Sequence, residues 1–458
     1  MKVIVAGGGQ AGALIARRLS REGNEVTLVE PKADRCEELE DLLDVKVVQG
    51  SAARVRTMQQ AGIAQAEMLI AVTNIDEINI LACLIGQAEG HVGVTVARIR
   101  THEVDDWRRM TEKAGPKIDF IIHPESEVAR RVMSVVRLPG VSEIIDFADG
   151  RVKLFGMNIE PGSWLIGKTL EELQEAKPPS DSLIPMIFRD QQLIIPHGAQ
   201  DLRVGDHVYT LATRENMYDV MRFMGLEEAS TLKRVFIVGG KQIGISLAEE
   251  LEAQNVNVKL FEKDAKRCAK ISSIVKKTVV VHADGSDQVT LQQENVDGAD
   301  AFLALTENDE VNIISSMLAR RLGVKKVVAL INRLNYLPMA QRLGVNTTVS
   351  PRLVTVDSVL QFVRKGRVLS VTTFREEEAE AIELLASAGR QYVGRKLKNI
   401  RFPRGAIVGA IVRPDGQVVI PRGEASIERD DRVIFFTKEN VVPELESAFL
   451  EKSRRKHS

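Results

Sequence analysis

Residues 3–12 read VIVAGGGQAG, and residues 235–244 read VFIVGGKQIG. Each stretch is a short apolar run, then a cluster of glycines, then the start of an amphipathic pattern. That is the order strand, tight turn, helix. The copies keep step along the chain. Gly7 and Gly239 lie 239 − 7 = 232 residues apart, and Gly12–Gly244, Glu30–Glu262, Arg35–Arg267 and Cys36–Cys268 share that offset. The chain is read as a tandem duplication, so its function has to be sought in two sites together.

Outward from the first glycine turn, short apolar runs alternate with helical patterns. Strands are expected at Lys2–Ala6, Glu25–Glu30, Asp44–Gln49, Met68–Val72, Thr95–Arg100 and Phe120–His123, with helices such as Ala11–Glu22 and Asp76–Ala88 between them. Such alternation implies a doubly wound parallel sheet of Rossmann type, its Val- and Ile-rich strands buried on both faces. From about residue 143 the texture changes to two-residue alternation with turn signals. Met186–Phe188 and Leu193–Ile195, flanking Arg189-Asp190-Gln191-Gln192, read as a hairpin. The second half repeats this order. Strands are expected at Arg234–Val238, Val256–Glu262, Thr278–His282, Ala301–Leu305, Lys326–Ile331 and Thr347–Ser350, followed by a β-rich tail over 368–437. Ile195-Pro196-His197-Gly198 matches Ile420-Pro421-Arg422-Gly423, and Asp206–Val208 matches Asp431–Val433. The expected fold is therefore α/β: two tandem repeats, each a Rossmann-like doubly wound parallel sheet followed by a small β-rich α+β subdomain. The expected boundaries are 1–125, 140–226, 232–350 and 366–452.

Composition narrows the class. With 458 residues and a formal net charge of −1, the chain lacks the basic footprint of a nucleic-acid binder. Three cysteines in so long a chain fit a reducing compartment. Met1 leads almost directly into Val3–Ala6, which leaves no room for a signal peptide. No run of 18 apolar residues occurs to span a membrane. A soluble intracellular protein is expected, with any membrane association made through a partner. Lys452–Ser458 reads as a frayed basic tail.

The first glycine turn has a division of labour. Gly7 permits the tight turn, Gly9 lets a pyrophosphate approach the backbone, and Gly12 lets the helix pack close to the strand. The backbone of Gly8, Gln10 and Ala11 completes a helix N-terminus that favours a phosphate anion. Glu30 lies 30 − 12 = 18 residues after Gly12, at the end of the second expected strand. A carboxylate there accepts hydrogen bonds from ribose hydroxyls and repels a 2′-phosphate. NAD(H) is favoured over NADP(H), and ADP or ATP satisfies the same logic. The second turn, Gly239-Gly240-Lys241-Gln242-Ile243, keeps Gly244 and Glu262 but puts Lys241 in place of the middle glycine. Its side chain crowds a pyrophosphate, or its ammonium pairs with one; a degenerate structural copy is the third reading. Thr73, Asp76 and Asn79 match Thr306, Asp309 and Asn312 at 306 − 73 = 233. They fall at the carboxyl edge of the sheet, where ligands bind in such folds. N-capping accounts for the aspartates. Arg98, at the end of the fifth strand, reaches a phosphate or forms a surface ion pair.

Catalytic machinery is missing from the sequence. A dehydrogenase needs a proton donor beside the nicotinamide and a domain to hold substrate. His123, His197 and His282 stand alone, and Cys36, Cys83 and Cys268 have no metal-ligand spacing and read as small apolar fillers. The acidic run Glu376–Glu380 reads as a solvated face. Two nucleotide pockets without means to transform a nucleotide suggest a sensor; no catalytic or metal residue is assigned.

VIVAGGGQAGALIARRL, Glu30, AVTNIDEINILAC and LALTENDEVNIISSMLARRLG resemble the potassium-transport nucleotide-binding domains, also called domains regulating potassium conductance. IGKTLEEL and VGRKLKNI, followed by IIPHG and VIPRG, resemble that family's C-terminal subdomain. The tandem order over about residues 1–450 is similar to the peripheral subunits of bacterial Trk potassium uptake systems. The resemblance implies a cytoplasmic protein, peripheral on the inner (plasma) membrane and docked on an integral membrane potassium-translocating subunit. It further implies a homo-oligomer, dimer or tetramer, whose arrangement responds to NAD(H) or adenine nucleotides. Carried over, the first site comprises Gly7 through Ala11, Glu30, Thr73, Asn74 and Arg98, and the second Gly239–Ile243 and Glu262. Where the family often has Gly-Asp after the third strand, the chain has Gly50-Ser51 and Ala283-Asp284. Two other readings stay open: a tandem Rossmann NAD-dependent dehydrogenase, and a nucleotide-insensitive adaptor.

Overall fold

The computed structural model describes residues 1–90, 92–101, 118–190, 192–227, 231–345, 347–363, 368–374, 379–387 and 391–449. The basic tail, Gln191 of the hairpin turn and Glu376–Glu378 lie outside the described residues. The chain divides into two compact units, residues 1–128 with 351–364, and residues 129–350 with 365–458.

The first unit is built on a six-stranded parallel sheet. Its strands are β1 (Lys2–Ala6), β2 (Glu25–Glu30), β3 (Lys46–Gln49), β4 (Met68–Ala71), β5 (Val94–Arg98) and β6 (Phe120–Ile122), in the order β3-β2-β1-β4-β5-β6. The order reverses between β1 and β4, which leaves a crevice at their carboxyl ends. β1 feeds the glycine turn into that crevice, and the helix Gln10–Arg21 leaves from it. Strand ends fall one or two residues inside several expected bounds, and the helix of the fourth crossover runs Asp76–Gly90. Ile4, Ala6, Leu69, Ala71 and Ala97 pack with Met58, Ile80 and Cys83 into one core. The helix Pro351–Val363, which follows the last strand of the second sheet, belongs to this unit: Phe362 stacks on Phe120 with ring centroids 4.5 Å apart. No expected boundary assigned it there, because its apolar pattern carries no information about which sheet it covers.

The second unit holds four sheets among the described residues. β7 (Val141–Phe147), β8 (Val152–Asn158), β9 (Ser182–Arg189), β10 (Gln192–Ile194) and β11 (His207–Thr213) form an antiparallel sheet in the order β10-β9-β11-β8-β7. Next come β12 (Arg234–Val238), β13 (Asn257–Glu262), β14 (Val279–His282), β15 (Ala301–Ala304), β16 (Lys326–Leu330) and β17 (Thr347–Val349), with the same parallel order as the first unit, β14-β13-β12-β15-β16-β17. The last strands are β18 (Val368–Phe374), β19 (Ala379–Leu385), β20 (Arg395–Lys396), β21 (Ala406–Val412), β22 (Val418–Val419), β23 (Ser426–Ile427) and β24 (Arg432–Lys438). Five of them repeat the first antiparallel topology as β18-β19-β24-β21-β22, and β20 pairs with β23.

The two antiparallel sheets share a core: Phe147, Leu154, Met186 and Tyr209 of one pack with Phe374, Ala410, Ile434 and Phe436 of the other. Each repeats a buried aspartate clamped by an arginine, Asp206 by Arg189 and Asp431 by Arg413. Arg432 joins the sheets by pairing with both Glu383 and Asp149. Glu380 contradicts the solvated reading of its acidic run. It lies in β19 and is fully buried, because that strand is covered on both faces from Ala379 to Leu384.

Candidate nucleotide site

The geometry of both glycine turns separates what the fold demands from what a ligand would demand. Gly7 and Gly239 have φ of 109° and 110°, a region closed to most side chains. A Cβ on Gly12 would lie 1.8 Å from the Gly7 carbonyl oxygen, and one on Gly244 would lie 2.0 Å from that of Gly239. A Cβ on Gly8 would strike Leu39, and one on Gly240 would strike Ile271. Those glycines are required by packing. Gly9 is different: its φ is −65°, and a Cβ there meets nothing within 4 Å. No described residue requires a glycine at position 9. Lys241 occupies the same place in the second turn, as the residue before the helix Gln242–Ala253, with φ of −89°. The fold accepts a side chain there.

The helices supply what the turns need. Gln10 and Ala11 open the first helix, and its first intrahelical bond runs from Ala13 N–H to Gly9 O at 2.9 Å. In the second copy Ile245 N–H donates to Lys241 O at 3.0 Å. Neither turn residue caps its helix with a side chain. The first-turn N–H groups therefore stay available to an anion.

Glu30 and Glu262 are buried at the ends of β2 and β13. The Gly8 amide donates to Glu30 Oε2 at 2.8 Å and the Lys32 amide to Oε1 at 3.1 Å. Glu262 receives the Gly240 and Asp264 amides at 3.1 and 3.0 Å. Each carboxylate ties the glycine turn to the next strand and keeps lone pairs for further donors. The cysteines are more than fillers here. Cys36 Sγ donates to Glu30 O at 3.3 Å and Cys268 Sγ to Glu262 O at 3.2 Å, fixing the strand ends that carry the acids. Burial pushes both thiols upward, and the adjacent Glu30 and Glu262 add to the effect, so they remain protonated donors. Arg267 approaches Glu262 at 3.4 Å, whereas Arg35 donates instead to Gly8 O at 2.8 Å.

Across the crevice, the expected capping role of the aspartates is overturned. Asp76 accepts from the Arg100 and Thr101 amides at 2.8 and 3.0 Å, and Asp309 from the Asn332 and Arg333 amides, both at 2.8 Å. They brace the loop after the neighbouring strand, because the helix begins beside that loop; the cap of the second helix is Asn308, which accepts from Val311 N–H at 3.0 Å. Asn79 and Asn312 are fully buried and bind across strands. Asn79 accepts from Thr73 N–H at 2.8 Å and donates to Arg98 O at 2.8 Å; Asn312 does the same with Thr306 and Leu330 at 2.9 and 2.8 Å.

Arg98 is no surface ion pair. It is 8% exposed, and its Nη2 donates to Thr73 O at 2.7 Å and Asn74 Oδ1 at 2.8 Å. Nε is buried with no hydrogen-bond partner among the described residues. Burial, reinforced by Arg100, pulls its pKa down to about 10, which leaves it charged at neutral pH. Thr73, Asn74 and Arg98 therefore form one edge of the first crevice, as expected. The Asn79 and Asn312 bonds place Leu330 where the first copy has Arg98. One residue beyond the Thr73–Thr306 match, Glu307 replaces Asn74, and its carboxylate pairs with Lys241 Nζ. Neither replacement was drawn from the sequence, although the threonine offset, 307 − 74 = 233, aligns Asn74 with Glu307, and the glycine offset, 330 − 98 = 232, aligns Arg98 with Leu330.

Comparison with known proteins agrees with this architecture. The TrkA-N domain model matches residues 3–124 and 235–351, and the TrkA-C domain model matches 154–225 and 382–450. This is the class of tandem chains that alternate a nucleotide-binding N-domain with a small C-domain. Trk system potassium uptake protein TrkA of Vibrio alginolyticus is 37% identical, over 98% of both chains, and that of Halomonas elongata is 36% identical, over 95% of both. The chain belongs to the TrkA family of Trk potassium uptake proteins. Among solved structures, the GsuK channel bound to NAD aligns over 98% of this chain and 78% of that one, with a TM-score of 0.60 at 18% identity. The GsuK RCK domain aligns with the same score over 94% of its length. These likenesses concern the fold. No helix among the described residues is long and apolar enough to cross a membrane.

Proposed function

We propose that this chain is the nucleotide-binding regulatory subunit of a Trk-type potassium uptake system. It acts on an integral membrane potassium-translocating partner from the cytoplasmic face and works as a homo-oligomer. The observation that carries the nucleotide reading is Gly9: a glycine that no protein contact requires, at a helix N-terminus, flanked by buried Glu30 and Arg98. The space left there suits the pyrophosphate of NAD(H), with the ribose at Glu30. Thr73 and Asn74 hold Arg98 at the opposite edge, and Gly7, Gly8, Gln10, Ala11 and Gly12 shape the turn. In the second cleft Gly239, Gly240, Lys241, Gln242, Ile243 and Glu262 take the equivalent positions around a second nucleotide.

A regulator needs no turnover. A ligand shifts an equilibrium between conformations only through unequal affinity for them. Nucleotide in the clefts biases the arrangement of the repeats, and the partner reads that arrangement. The test pairs calorimetry with transport. The purified chain binds NADH without consuming it, Glu30→Ala loses that binding, and cells lacking the chain lose regulated potassium uptake. Sustained NAD-linked oxidation of a substrate, or unchanged uptake in such cells, would overturn the reading.

A further inference from the structure

The cation facing the phosphates has changed place between the copies. In the first cleft it is Arg98, buried at the end of β5, and the turn bears no side chain at position 9. In the second cleft Leu330 replaces the arginine, and the cation is Lys241, on the turn itself. Its ammonium pairs with Glu307, which stands where the first copy has the neutral Asn74. We propose that the Lys241–Glu307 pair makes the second cleft selective for an adenine nucleotide ending in a free terminal phosphate, ADP or ATP, over the dinucleotide NAD(H). The proposal rests on the nucleotide-binding reading above and adds to it which cleft takes which ligand.

Three physical arguments carry it. The first is space. A dinucleotide must continue past its pyrophosphate over the position that Gly9 leaves open, and Lys241 fills that position. A mononucleotide ends there. The second is charge. The two phosphates of a dinucleotide are each substituted twice and carry one negative charge each, whereas a terminal phosphate substituted once carries about −1.5 to −2 at neutral pH. A compact ammonium with three rotatable donors suits such a terminus, while Arg98 offers a fixed guanidinium held by Thr73 and Asn74. The third is magnitude. Lys241 is 42% exposed and Glu307 is 61% exposed. An ion pair so exposed is screened by water and contributes little, so a more highly charged phosphate displaces the carboxylate readily. Freed, Glu307 turns into water. In the unliganded cleft the same pair lies across the turn and disfavours a ligand that brings no terminal charge to replace it.

The test is calorimetry and equilibrium dialysis on the full chain with ADP and NADH. The expected result is one NADH bound per chain, abolished by Glu30→Ala, and one ADP per chain that saturating NADH does not displace. Lys241→Gly should weaken ADP at that site by about tenfold or more and admit a second NADH. Glu307→Gln, which removes the competing carboxylate and keeps the lysine, should tighten ADP severalfold. Two equivalent NADH sites in the unaltered chain, or ADP binding indifferent to Lys241→Gly, would overturn the proposal and leave the proposed function standing. Failure of NADH and ADP at both clefts would overturn both.

Discussion

The two glycine turns are built on the same scaffold and present different surfaces. Strand order, the positive-φ glycine, the contact of Gly12 or Gly244 with the preceding carbonyl, the buried acid and the buried asparagine recur in both units. The ligand-facing differences are Gly9 against Lys241, Asn74 against Glu307, and Arg98 against Leu330. Duplication fixed the frame because packing penalises change there. The ligand-facing positions were free to diverge, and they did so as a set, with the positive charge moving from the wall of the crevice to its floor.

The largest effect should come from attacking the shared frame. Gly12→Ala and Gly244→Ala each drive a Cβ into backbone that cannot retreat, at a cost of about 1–3 kcal/mol or more. Urea unfolding should show both variants destabilised by similar amounts. A harmless substitution in one copy would mean that the frames are not equivalent. Asn79→Ala and Asn312→Ala come next. Each leaves a buried amide and carbonyl without partners, at about 1–3 kcal/mol per orphaned group. Hydrogen exchange at Thr73 and Thr306 should rise in the respective variants. Glu30→Ala and Glu262→Ala remove charge-assisted bonds to the turn amides worth about 1.5–3 kcal/mol. NADH binding should be lost in the first variant and change little in the second.

A smaller contrast lies at the opposite edge of the sheets. Val94 begins β5, whereas Lys326 begins β16. Lys326 is buried and donates to Val141 O and to Thr347 Oγ1, and burial pushes its pKa down to about 7. Its folded pKa thus lies below the ordinary lysine value near ~10.4. Between those values the unfolded chain binds more protons, so stability contributed by this group rises from pH 7 toward pH 10. Below pH 7 both states are charged and the burial penalty is felt in full. Lys326→Met should flatten that rise in urea midpoints measured at pH 7 and pH 9.5; an unchanged slope would show that other groups set it.

The duplicated frame was legible in the sequence because it consists of glycines and apolar runs with strict spacing. The parallel sheets, their antiparallel companions and the crevice followed from it. Other features depend on tertiary placement. The helix Pro351–Val363 covers the first sheet, which no local pattern specifies. Asp76 and Asp309 look like caps, yet serve the loop beside their helix because that loop's amides come closer than the helix's own. Glu380 sits in an acidic run but is buried, since both faces of its strand are covered. The ligand-facing differences were half visible: Lys241 stood out against glycine, while Glu307 and Leu330 gained meaning only when Asn79 and Asn312 brought their strands together.

The most direct measurement is NADH titration of Gly9→Lys beside the unaltered chain, with urea unfolding of both. Because a Cβ at position 9 meets no described protein atom within 4 Å and the φ of −65° suits any residue, the variant should unfold at the same midpoint. It should lose NADH affinity by about 100-fold, since the space it fills belongs to the ligand. Undiminished NADH binding in a fully folded Gly9→Lys chain would contradict the assignment of the first cleft.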